Sequence, residues 1–299
     1  MENEKLGTIY ALLAYVLWGI LPLYWKMLEH IKAEEILSYR IVASFLFMLA
    51  LLLIQKSGLA FFHTCRLLWQ EKKRVTALIA ASLLISTNWF IYIWAVNHDH
   101  MVEASLGYYM NPLINVLLGV VVLKERLYKW QIVSLILAAS GVVGMTIEYG
   151  KIPWIALSLA CSFSLYSLVK KVISVDATIG LTVETMLATP LALIFIIHSF
   201  GQLHDASFLF TTMLLLIGAG PATALPLLYF AKGAQHISLT LLGFLQYISP
   251  TLSLLLGVFL FHEPFTNAHI YAFSCIWTAL ILFSISSTWE KRKEKSLNM

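Results

Sequence analysis

The chain has 299 residues, 60% of them hydrophobic and only 12% charged, with a mean hydropathy of +0.81. That is more apolar surface than a soluble core of this size buries, so a soluble domain is excluded and a bilayer is the expected solvent. The formal charge of +4 then describes loops facing anionic lipid, not a nucleic-acid surface.

The apolar residues fall into ten segments, near 6–28, 33–54, 75–97, 101–123, 127–147, 152–173, 178–198, 208–232, 238–261 and 266–288. Each holds about 20 residues, the length a helix rising ~1.5 Å per residue needs to cross ~30 Å of hydrocarbon. Alternating polar and apolar strands are absent, which disfavours a membrane barrel. The expected fold class is an all-α polytopic membrane protein.

Taken in order, the first segment is too long and too aromatic for a cleaved signal, and it carries a stripe of Tyr15, Trp18, Pro22 and Trp25. Trp25, near the segment end, fits an interfacial belt, whereas Trp18 lies deeper and is a substrate-contact candidate. The second segment holds Arg40. The long loop after it contains Phe61, Phe62, Cys65, Leu68 and Trp69 near one helical face, which predicts a helix lying in the interface. In the third segment Trp89 and Tyr92 lie near Asn88; Asn88 and Trp89 are candidate substrate contacts. Tyr108, Asn111, Asn115 and Gly119 in the fourth segment recur at helical spacing, and Gln246, Ser249, Ser253 and Gly257 repeat that face in the ninth. Polar amides at bilayer depth are costly unless hydrogen-bonded, so this stripe faces protein or water; both a cavity lining and inter-helix contacts fit.

Pro112 and Pro250 lie near the centres of the fourth and ninth segments. Each removes an N–H and crowds the carbonyl four residues back, so both are hinge candidates. Ser158, Ser162 and Tyr166 share a face of the sixth segment, and Tyr166 joins the substrate-contact candidates. Arg40 and Glu184 are the charges clearly inside predicted helices, and an intramembrane ionisable group is by default a substrate or proton site. Their depths differ by roughly 10 Å at ~1.5 Å per residue, too far for assured direct pairing, so substrate or water is the expected mediator.

The stretch Glu103 to Leu127 returns 138 residues later as Leu241 to Phe265, with Tyr109/Tyr247, Pro112/Pro250, Gly119/Gly257 and Glu125/Glu263 among seven identities. A period near half the length reads as an internal duplication. Each copy has five crossings, an odd number, so the second is expected to run upside down relative to the first. The first repeat is placed at 1–148, the second at 149–288, and a basic cytoplasmic tail at 289–299. Glu125 and Glu263 each end a segment just before the next begins, where a carboxylate caps free N–H groups.

Sixteen Lys and Arg residues fall on the terminus side, Lys170 and Lys171 among them, against three on the other, so both termini are expected in the cytoplasm. Cys65, Cys161 and Cys275 show no metal spacing and no disulfide framework. His98-Asp99-His100 and His262-Glu263 lie in short outer loops, and no nucleophile–base or metal set falls inside a helix, so no catalytic or metal site is expected.

Two five-helix copies, each with a Pro, a Gly seven on and a Glu six beyond that, resemble the EamA repeat of the drug/metabolite transporter superfamily. WGILPLYWK from Trp18, the Arg40 helix and NWFIYIWAVNH from Asn88 are similar to the RarD subfamily, described as chloramphenicol-sensitivity permeases. The resemblance implies ten helices around a central cavity and, most commonly, transport outward. Tyr247, in Gln-Tyr-Ile-Ser-Pro where the fourth segment has Tyr-Tyr-Met-Asn-Pro, is a further candidate substrate contact, beside Tyr108, Asn111, Asn115, Gln246 and Ser253. The expected function is a secondary transporter of the inner membrane that exports small amphipathic metabolites or drugs. An uncoupled facilitator and a structural or regulatory protein are the alternatives. Expected partners are a small-molecule substrate and the lipid bilayer, with proton coupling and a homodimer left open, and neither nucleic acid nor cofactor.

Overall fold

The computed structural model describes residues 2–98, 100–150, 152–173, 175–199, 210–260 and 267–297. Among them every regular element is a helix, and ten spans are long and apolar enough to cross a membrane. The first five are α1 (Glu2–Lys26), α2 (Ala33–Ile54), α4 (Lys72–Asn97), α5 (Met101–Val121) and α6 (Lys129–Tyr149). The second five are α7 (Trp154–Val172), α8 (Ala177–Ser199), α9 (Phe210–His236), the pair α10 (Leu239–Gln246) and α11 (Ile248–Phe259), and α12 (Asn267–Leu297).

Between α2 and α4 lies α3 (Gly58–Gln70), the helix predicted for the interface. Phe61 and Cys65 pack against the cluster that holds Leu52, Leu78 and Ile179, whereas Phe62 stays exposed. The side chains of Leu68 and Trp69 lie outside those described.

Helix α1 lies on α9 and α11, α2 on α8 and α9, α4 on α7 and α8, α5 on α7 and α10, and α6 on α12. The central core is aromatic: Tyr15 and Trp18 of α1, Phe163 and Tyr166 of α7 and Phe230 of α9 stack or meet edge to face. Rings at these separations add directional attraction to burial.

The two prolines expected as matched kinks differ. The ninth span is interrupted at Tyr247, where Pro250 lacks the N–H that the Gln246 carbonyl would accept. Helix α5 runs on through Pro112, braced by α7 and α10. Gly243 permits that bracing, because a Cβ there would stand 2.8 Å from the Pro112 carbonyl oxygen.

Candidate functional site

Four span ends on the side away from the termini converge on Arg40. The guanidinium carbon lies 4.4 Å from the Trp89 ring centre and 5.5 Å from that of Trp25, a cation held against aromatic faces. Tyr92 of α4 and Tyr108 of α5 meet edge to face at 5.8 Å and stand near Arg40. Among the described residues no carboxylate pairs with Arg40, and its buried Nε has no acceptor. Tyr108 keeps 40% of its surface exposed.

A second polar group lies toward the terminus side. Lys170 Nζ of α7 donates to Glu184 Oε1 of α8 at 2.7 Å, and the Tyr166 hydroxyl donates to Oε2 at 3.2 Å. Both charged side chains are 1% exposed. This corrects the expected place of Lys170: it is not a loop charge facing lipid headgroups. A carboxylate two turns into α8 needs a counter-charge at that depth, and the last full turn of α7 supplies it. Glu184 is therefore paired within the second half and not with Arg40. A narrow cleft lined by Ile41, Ser86, Trp89, Tyr166, Glu184 and Thr185 links the two groups.

The polar stripe is divided among three helix interfaces. Asn111 Oδ1 accepts from Ser164 of α7 at 2.8 Å, Asn115 Nδ2 donates to Gln246 Oε1 of α10 at 2.8 Å, and Ser253 of α11 donates to the Gly19 carbonyl of α1 at 3.3 Å. Asn111, Asn115 and Gln246 are buried, with Asn115 Oδ1 left unpaired. Asn88 ties α4 to α7 through the Leu159 carbonyl at 2.9 Å and Ser162 at 3.0 Å. Trp18 sits in the aromatic core, and Tyr247 is buried with its hydroxyl unpartnered. Of the sequence candidates, Arg40, Trp89 and Tyr108 come together, and Tyr166 and Glu184 form the second group.

Trp25 and Lys170 belong to these groups, yet their positions near segment ends pointed to the interface. The signal for Trp25 was its place on the first stripe; for Lys170, a spacing of 14 residues from Glu184 carried none.

Glu125 does cap a helix, but not the one that follows it. Its two carboxylate oxygens accept from Leu239 N at 2.7 Å and Thr240 N at 2.9 Å, closing the N-terminus of α10 in the other half of the chain. Gly119 makes room: a Cβ there would lie 2.8 Å from Glu125 Oε2. Lys124, at φ 55°, turns the chain back so that Glu125 reaches across. Its repeat mate Glu263, with His262 and Asp99, lies outside the described residues.

Comparison with known proteins places these features in a lineage. The EamA-like transporter family matches residues 5–147. "Uncharacterized transporter YojE" of Bacillus subtilis (strain 168) is 48% identical over 98% of each chain. "Protein RarD" of Escherichia coli (strain K12) is 40% identical, again over 98% of each. A protein of known crystal structure aligns at a TM-score of 0.70 over 93% of this chain and 97% of its own, with 20% identity, a likeness of fold alone.

Proposed function

The chain belongs to the EamA-like transporter family, and on that premise we propose that this multi-pass inner-membrane transporter exports small amphipathic metabolites or drugs, chloramphenicol-like compounds among them, by alternating access. One observation carries the reading: the interior differs between its two sides. Around Arg40, Trp89, Tyr92 and Tyr108 the side chains keep part of their surface open, whereas Tyr15, Tyr166, Lys170 and Phe230 on the terminus side are at most 1% exposed. A difference in exposure between the two sides is what one state of an alternating-access cycle would leave.

The packing pattern supports two inverted repeats, 1–148 and 149–288, as the moving parts. Under the exchange of α1 with α7, α2 with α8, α4 with α9, α5 with α10–α11 and α6 with α12, the contact of α1 with α9 becomes that of α7 with α4. Likewise α5 with α7 becomes α11 with α1, and α2 with α8, α5 with α10 and α6 with α12 map onto themselves. Pro112 and Pro250 are the proposed hinges, and the termini and the tail from 289 are proposed to face the cytoplasm.

An uncoupled facilitator is the second reading, favoured by the Lys170–Glu184 pair, which already neutralises the coupling candidate Glu184. Flux of candidate solutes into proteoliposomes, with and without a pH gradient, separates the two. Uptake that responds to the gradient supports coupled export; equal uptake in both conditions supports the facilitator; no solute flux refutes both.

A further inference from the structure

We infer that the preferred substrates within that range carry a monoanionic group, a carboxylate on a planar or aromatic body, which binds the edge of the Arg40 guanidinium and ranks them above neutral, chloramphenicol-like compounds; this rests on the transport reading above. An uncompensated charge inside a span is costly, and such charges are retained where a partner or a pathway needs them. Among the described residues the protein supplies Arg40 no carboxylate. Lys170 shows the contrast, since Glu184 cancels its charge at 2.7 Å.

What remains available on Arg40 is set by its surroundings. The Trp89 ring, 4.4 Å from the guanidinium carbon, takes up one face, and Trp25 stands 5.5 Å away. The N–H donors lie in the guanidinium plane, where a carboxylate is bound along two parallel hydrogen bonds. Nε, one of those donors, is buried without an acceptor. Tyr92 and Tyr108 stand near the guanidinium and offer a ring edge and hydroxyls to an aromatic body, and Tyr108 is 40% accessible. A bound monoanion balances the guanidinium charge; a cationic amphiphile meets a like charge, and a neutral solute supplies no counter-charge.

Three probes of one shape test this: phenylacetate, phenylacetamide and phenethylammonium. Binding to the purified full chain is read by quenching of tryptophan fluorescence, and entry into proteoliposomes is measured in parallel. Phenylacetate is expected to bind roughly tenfold to a hundredfold tighter than the amide, the ratio a charge-assisted hydrogen bond supplies, and the ammonium weakest. Arg40→Gln should erase the acid-over-amide ratio, and Arg40→Lys should keep its sign at reduced size. If Arg40→Gln does not fold, the wild-type ratio and Arg40→Lys decide. Equal or tighter binding of the amide, no detectable phenylacetate binding, or an acid preference that survives in Arg40→Gln overturns the inference. Binding preference without flux of any probe leaves the anion site standing and refutes the transport reading; flux of the amide at the rate of the acid does the reverse.

Discussion

Replacing Glu184 by Gln keeps the side-chain shape and removes one charge, so Lys170 is left as an unpaired ammonium. Both side chains are 1% exposed and 2.7 Å apart, which places the pair in the regime where losing one partner costs about 3–5 kcal/mol. The Tyr166 hydroxyl, 3.2 Å from the carboxylate, finds an acceptor in the amide oxygen, so the loss is expected to come from Lys170. Thermal unfolding of the detergent-solubilised protein measures it. The double variant Glu184→Gln with Lys170→Met should recover much of the loss, because no buried charge then stands alone, and a double-mutant cycle gives the coupling. Stability of Glu184→Gln within about 0.5 kcal/mol of the wild type, the range of an uninvolved surface site, would refute the reasoning. The same variant tests transport. If Glu184 carries a coupling proton, gradient-driven accumulation disappears while downhill exchange is partly kept; if the pair is structural, flux falls in proportion to folded protein. Normal proton-driven transport by well-folded Glu184→Gln removes Glu184 from the mechanism.

Gly119→Ala should push the Glu125 carboxylate off α10 and cost about 0.5–2 kcal/mol, the value of a lost N-cap; an unchanged melting temperature would show that the cap contributes nothing. Pro250→Ala restores the N–H that the Gln246 carbonyl lacks, so it should join α10 to α11, raise thermal stability and slow transport; transport at the wild-type rate would exclude the break as a hinge. Membrane-impermeant thiol reagents should label Lys56→Cys only after the cytoplasmic face is opened, and labelling from outside intact cells would invert the topology. Cys65 is the weaker reporter there, because partial burial pushes its thiol up and reduces the reactive thiolate.

Hydropathy alone was enough for the ten spans, since the cost of unsatisfied backbone groups in hydrocarbon leaves helices of one length as the solution, and each predicted segment meets a helical span of the structure. The duplicated Pro, Gly and Glu were legible as spacing, and part of their meaning followed: Pro250 does interrupt its span, and Glu125 does cap a helix. The partners were not legible. The helix Glu125 caps begins 114 residues away, Asn115 meets Gln246 across 131 residues, and Arg40 of α2 is covered by rings from α1 and α4. Periodicity fixes which face of a helix a side chain occupies, but not which neighbour that face meets or at what depth a long side chain places its charge. Lys170 ends a predicted helix and reads as a loop charge; only the tertiary arrangement, which brings Glu184 of α8 within 2.7 Å of it, makes burial of that ammonium the lower-energy arrangement.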